Sequence, residues 1–156
     1  MMTLAIVKEL MKGLTVLALI VVFSVVLTGA GHASSSQTAK ADCRIDAGPC
    51  FKTSGVLSVS FDIAPKPVKA MRELTFTVTV KERGKPVNDV SLLIDLTMPG
   101  MYMGRNVVRL THLSGGVYEG KGVIVRCPSG GKLWQASVVI EHAEKKSVVN
   151  YTFEVP

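Results

Sequence analysis

Histidine is scarce in this 156-residue chain, which has three, one of them at position 32. So few leave no local support for a Ser-His-Asp or Cys-His pair, and the sequence reads as a binding protein, not an enzyme. Cysteine is equally sparse at three, and the Cys43-x6-Cys50 spacing is too wide for a CxxC redox or zinc motif. No segment after residue 33 sustains a helical period. Charged residues make up only 19% of the chain. The basic excess, +6 net, is scattered over positions such as Lys66, Lys69, Arg83, Arg105, Arg126 and Lys145, with no stripe. That dispersion reads as a solvated surface and points away from nucleic acid. Asp62, Asp95 and Glu119 fall inside strand patterns and read as solvated-face residues, not paired acids.

What is present begins with an apolar N-terminus. Lys8 and Lys12 precede an uncharged run over residues 13–28, and Gly31-His32-Ala33 follows. A basic start, an apolar middle and a small-residue exit make a secretory signal. The apolar core, 14–27, is shorter than the ~20 residues a spanning helix needs. The alternative is an uncleaved membrane anchor through residues 11–30. No lipobox cysteine lies near the cut, which argues against a lipid anchor. Either way the protein is expected to be exported, to the periplasm or the outer face of the cytoplasmic membrane. The expected organisation is a signal or anchor over 1–33, a tether with Cys43 and Cys50 over 34–54, and one folded domain over 55–156.

From residue 55 onward the pattern is β. "VLSVSFDI" (56–63) and "LTFTVTV" (74–80) alternate apolar with polar, which gives each strand one buried and one wet face. Further strands are expected at 89–97, 107–113, 116–125, 133–141 and 147–155, separated by Pro- and Gly-containing turns. Seven short strands in about 100 residues predict an all-β, seven-stranded, immunoglobulin-like antiparallel sandwich. Trp134 and Phe76 are expected in its core, and Tyr118 packed with its hydroxyl at the rim.

If each strand runs antiparallel to the one before, the loops 64–71, 98–106 and 126–132 share one end. Met71, the Met98/Met101/Met103 cluster and Cys127 then gather there. The same parity puts Cys43, Cys50, His112 and His142 at the opposite end. In an exported protein a disulfide is permitted, and Cys43–Cys50, closing a loop with Gly48-Pro49, is the expected bridge. Cys127 is then unpaired. It is either a small buried residue or a thiolate beside the methionines, which Arg126 would favour if turned toward it.

Thioether sulfur is a soft donor that suits Cu(I) and serves Zn(II), Ca(II) or Mg(II) poorly. Pro99, Gly100 and Gly104 turn the chain so that Met98, Met101 and Met103 can converge. Methionine is also a flexible gap-filler, a sacrificial oxidation site and an adaptable contact surface. The residues leave both readings open: a sulfur site for Cu(I), or a loop for a protein partner with Tyr102 and Arg105 as contacts.

The stretch "LTMPGMYMG…VVRLTHLSGGVYEGKGVIVRCPSGGKLWQASVVIE" resembles the YtkA-like domain and its FixH-like relatives, over roughly residues 55–142. The resemblance rests on Met98, Pro99, Met101, Met103 and Gly104, then Gly116, Tyr118 and Gly120, then Gly131 and Trp134. It implies an envelope-located, immunoglobulin-like domain of the kind found around copper handling and haem-copper oxidase assembly, an architecture shared with CopC-like carriers. A copper acceptor or another envelope protein is then the implied partner. Relatives often carry a histidine in or just after the Met loop, where this chain has Arg105-Asn106. The departure favours either Cu(I) held by sulfur alone, through Met98, Met101, Met103, Cys127 and Met71, or no metal at all.

Overall fold

The computed structural model describes residues 39–142 and 144–156. The expected signal or anchor and the start of the tether lie outside these residues. Among the described residues, nine strands follow a 3-10 turn at Ile45–Ala47: β1 Cys50–Ser54, β2 Leu57–Ala64, β3 Glu73–Glu82, β4 Lys85–Pro86, β5 Ser91–Thr97, β6 Val107–Ser114, β7 Val117–Val123, β8 Leu133–His142 and β9 Lys145–Glu154. Every pairing is antiparallel, and the strands hydrogen-bond in the order β1-β2-β3-β7-β6-β5-β8-β9, with β4 added to β3.

All seven expected strands are present, and the count of seven is corrected to nine. The two additions have different origins. β4 is a two-residue pairing made where the chain turns back after β3. β1 is a full strand folded against β2 around the two-residue turn Gly55-Val56, with Ser54 opposite Leu57. Gly55 takes a positive φ of 59° there, which glycine adopts without steric cost.

The alternation that identified the strands also builds the core. Leu74, Phe76, Val78 and Val80 of β3 point inward, and so do Leu92, Ile94 and Leu96 of β5 and Trp134, Ala136, Val138 and Ile140 of β8. Thr75, Thr77 and Thr79 take the opposite face of β3, as a period of two requires. The Phe61 ring lies 5.0 Å from Tyr151 and 6.0 Å from Phe153, linking β2 to β9 through the interior.

The two ends of the strand path meet, so the sheet is nearly barrel-shaped. Lys52 on β1 donates to the Asn150 carbonyl of β9 at 2.6 Å, and Tyr151 donates to the Val59 carbonyl at 2.8 Å. The backbone N–H groups of Asp42 and Cys43 both donate to Thr152 O, and Thr152 N–H donates to the Asp42 carboxylate. The expected tether is therefore folded from about residue 42 onward, with Cys43 and Ile45 buried. The compact unit runs from Thr38 to Pro156.

Cys43 and Cys50 form the expected disulfide, but at the other end of the domain from the one expected. Cys50 pairs with Phe61 near the close of β2, and Asp46 accepts a hydrogen bond from Val68 N–H in the β2–β3 loop. The unforeseen β1 adds one reversal of chain direction and so inverts the parity of everything before it.

Tyr118 also departs from expectation. Its hydroxyl is buried, donating to Val87 O at 3.0 Å and accepting from Val90 N–H at 3.3 Å. Burial raises its pKa above the ordinary 10.0, with the Val90 amide opposing and Asp89 adding to the rise. Burial raises Tyr151 further, with Asp42 contributing. The folded state thus favours both neutral phenols, a stabilisation fully present below pH 10 and lost as pH rises through the folded values. Denaturant midpoints should hold up to about pH 10 and fall above it. Tyr118→Phe and Tyr151→Phe variants should assign the late tyrosinate absorbance to these two residues, appearing with unfolding and not ahead of it.

Candidate metal centre

The β2–β3, β5–β6 and β7–β8 loops share one end of the domain, as strand parity requires. In the β5–β6 loop, Met101 N–H donates to Met98 O at 3.1 Å, and Gly100 between them has φ 78°. The two methionines also form an isolated antiparallel bridge. The loop is closed at its base by Leu96 N–H on Asn106 O, and is tied to β7 by the Asn106 side chain on Val123 O. Met98 is buried, Met101 is 41% exposed, and Met103 packs half-buried against the core.

The β7–β8 loop presents Cys127-Pro128-Ser129-Gly130-Gly131. Gly130 N–H donates to Cys127 O at 3.0 Å, closing a tight turn that Gly130 permits with φ 76°. This turn aims the Cys127 thiol at the Met101 thioether, sulfur to sulfur 3.5 Å. Ser129 Oγ lies 3.0 Å from Cys127 Sγ and donates to Met101 Sδ at 3.8 Å. Gly131 completes the arrangement by having no side chain. A Cβ there would meet the Met98 methyl at 2.7 Å, with Cys127 Sγ at 3.5 Å and Met98 Sδ at 3.9 Å. Met98, Met101 and Cys127 therefore converge, two of them around the space that Gly131 leaves.

Met71 sits at the same end, its backbone N–H on Ile124 O, but its side chain is 63% exposed. Tyr102 is 91% exposed, and Arg105 is exposed beside it. His112 and His142 lie at the far end, where they meet Asn88 and Asp89 respectively. Among the described residues no three His, Cys, Asp or Glu side chains assemble in a way that could hold a metal. Any metal-binding chemistry in these loops therefore rests on thioethers and one thiol.

Cys127 is the free cysteine, and it is buried. Its thiol pKa is nonetheless lowered. The Ser129 hydroxyl favours the thiolate most, burial opposes it, and the backbone N–H groups of Gly131, Ser129 and Gly130 add to the lowering. The exposed Arg126 is not among these causes, so the condition under which it would favour the thiolate is not met. Ser129 went unnoticed as a functional residue. Its signal was a hydroxyl two positions after a cysteine in a Gly-rich turn, where serine folds back on its own loop.

The family model described as YtkA-like matches residues 53–126, within which lie the Met loop and the β2–β7 framework. Over this segment, just under half of the chain, the protein is similar to the YtkA-like family. The match ends one residue before Cys127, so the YtkA-like segment supplies the methionines and the following loop supplies the thiol. Gly131 and Trp134, part of the expected resemblance, also fall beyond it. No curated protein matches the chain. Two solved structures are similar to it at low identity. A DUF4785 family protein from Legionella pneumophila is 16% identical with a TM-score of 0.44, covering 65% of this chain and 29% of its own. The GAE domain of GGA2p from Saccharomyces cerevisiae is 12% identical with a TM-score of 0.33, covering 70% of this chain and 97% of its own. The chain thus spans under a third of the Legionella protein.

Proposed function

We propose that this YtkA-like domain is an exported envelope accessory module that binds Cu(I) through Met98, Met101 and Cys127 and passes it to a partner protein. The observation that carries the reading is the 3.5 Å approach of the Cys127 and Met101 sulfurs, with Met98 bordering the space at Gly131 that Cys127 also borders. Three ligands at about 2.3 Å around one ion stand about 4 Å apart, so the pair needs only a small adjustment. Two thioethers and one thiol whose deprotonated form is favoured make a soft donor set, which suits Cu(I). Met103, against the core, and Met71, out in solvent, stand apart from the set. The domain carries no catalytic role in this reading, and its work is stoichiometric. An immunoglobulin-like architecture fits as well. With β1 and β4 set aside, the order β2-β3-β7-β6-β5-β8-β9 supports that reading, although β6 and β5 stay hydrogen-bonded in one continuous sheet.

The full chain, kept reduced, should take up one Cu(I) in competition with a chromogenic chelator. Cys127→Ser and the double variant Met98→Leu/Met101→Leu should each lose more affinity than the roughly 10–100-fold typical of removing a group that only orients a ligand. Met71→Leu should bind like the wild type. Undiminished Cu(I) binding by the Cys127 and Met98/Met101 variants would sink the assignment.

A second reading, a non-metal interaction module, draws support from the exposure of Tyr102 and Met101. It predicts that the wild-type chain takes up no Cu(I) at all.

A further inference from the structure

The scattered basic residues of the sequence are not scattered in space. The segments 64–72, 98–106 and 124–132 contain no Asp or Glu. They carry Lys69, Arg72, Arg105, Arg126 and Lys132, all exposed. The ion pairs among the described residues use Lys52, Lys66, Lys121, His142 and Lys146, and none of these five. Most flanking carboxylates are engaged: Asp62 with Lys66, Glu73 with Lys121, and Asp46 with the Val68 amide. Glu154, exposed at the close of β9, and Asp95, half-buried near the end of β5, are the exceptions. At the opposite end the signs alternate along Glu82-Arg83 and Glu144-Lys145. The three loops of the sulfur end thus form a positive pole, free of carboxylates within the loops themselves.

Inside that cationic rim stands an apolar centre. Tyr102, Met71 and Met101 are 91%, 63% and 41% exposed, each on or beside one of the same loops. A groove of about 340 Å³ opens between Ala70, Trp134 and Val155, with Arg126 and Lys132 among its lining residues. Tyrosine, methionine and arginine at the centre with charge at the edge is the composition of a protein-binding surface.

We infer that the sulfur end is a docking surface for an acidic protein partner, one presenting Asp and Glu around an apolar side chain that enters the groove. Three of the five cations are arginines, whose planar fork pairs with carboxylates in two parallel hydrogen bonds. A groove lined by Ala70, Trp134 and Val155 accepts a side chain, whereas a bilayer surface has none to insert. Long-range attraction between the poles would speed encounter and fix orientation, and it would weaken as salt is added. This goes beyond the metal reading and holds whether or not Cu(I) is bound.

The test uses the full chain, metal-free, with the Cys43–Cys50 disulfide intact and Cys127 as the free thiol. The probes are a glutamate-rich peptide with one central leucine, an all-glutamate peptide of equal length, and phosphatidylglycerol vesicles. The leucine peptide should bind most tightly, lose affinity with added salt, and shift the backbone NMR signals of 69–72, 101–105 and 126–132. Arg105→Glu/Arg126→Glu should weaken it about tenfold or more, and Arg83→Glu at the far end should not. Ala70→Glu, which puts a carboxylate in the groove mouth, should bring the leucine peptide down to the level of the all-glutamate one or below it. The arginine positions are exposed and Ala70 is half-buried, and an unchanged melting temperature would confirm that each variant folds. No peptide binding, binding indifferent to the charge reversals, or binding to vesicles alone would overturn the proposal. The last outcome would assign the surface to a membrane. Because no metal is present, failure here would leave the Cu(I) result standing, and the reverse holds too.

Discussion

Trp134→Ala is expected to destabilise the domain by about 3–5 kcal/mol in chemical denaturation, near the top of the range for a single side chain. The indole is 1% exposed and leads the largest fully buried side chains. It sits opposite Phe153 where β8 pairs with β9, and on its other side β8 pairs with β5, so strands flank it in both directions. Alanine there removes a two-ring volume at the point where the β7–β8 loop enters the sheet. Neighbours held in two hydrogen-bonded ladders can collapse only partly, and the remaining cavity adds to the lost transfer energy. Phe51→Ala is the control. The Phe51 ring is 75% exposed, so its loss should move stability by no more than about 0.5 kcal/mol. Equal costs for the two variants would show that the indole is not part of the packed interior.

The second large effect comes from adding one methyl group. Gly120→Ala should cost about 1–3 kcal/mol, because the new Cβ would lie 2.3 Å from Arg109 O and 3.0 Å from Val108 Cγ1. The obstruction is backbone of the neighbouring strand β6, which can yield only by moving against its own partners. Gly131→Ala introduces a comparable overlap, 2.7 Å, but with the terminal methyl of Met98. That group ends a flexible side chain and can swing aside. Gly131→Ala should therefore cost little stability while displacing Met98 from Cys127. Denaturation and Cu(I) competition on the two variants should give opposite rankings, Gly120→Ala worse in the first and Gly131→Ala worse in the second. The same order in both assays would refute the division between framework glycine and site glycine.

The strands from β2 onward, apart from the two-residue β4, were legible because each buries one face, and a period of two is written directly into segments such as "LTFTVTV". β1 was not. Its five residues, Cys50–Ser54, alternate only between half-buried and exposed, since it lies at the end of the strand path. Alternation carries the β signal only when one side is dry. Missing β1 left parity correct for the three loops after it, which depend on the strands between them. It left parity wrong for Cys43 and Cys50, which precede it. The error was confined to one side of the missing reversal.

The candidate site divides along the same line. Residue type and spacing singled out Met98, Met101 and Met103, and counting reversals brought Cys127 to the same end. Neither could rank the four, because side-chain direction on a turn depends on dihedrals that sequence spacing does not fix. Tertiary structure sent Met103 against the core and left Met71 in solvent. It also replaced Arg126 with Ser129 and three backbone amides as the groups that favour the thiolate.

By itself the sequence determined the all-β class, the seven one-face-buried strands β2, β3 and β5–β9, and the methionine-rich loop. All of these follow from local pattern or composition, whereas the Cys43–Cys50 pairing was an expectation that only the structure decided. Tertiary structure decided which sulfurs meet, at which end the disulfide lies, and that cations far apart in the chain form one positive pole. Those are distances between residues on different loops. They are set by how the sheet curls and pairs, and a linear pattern does not contain them.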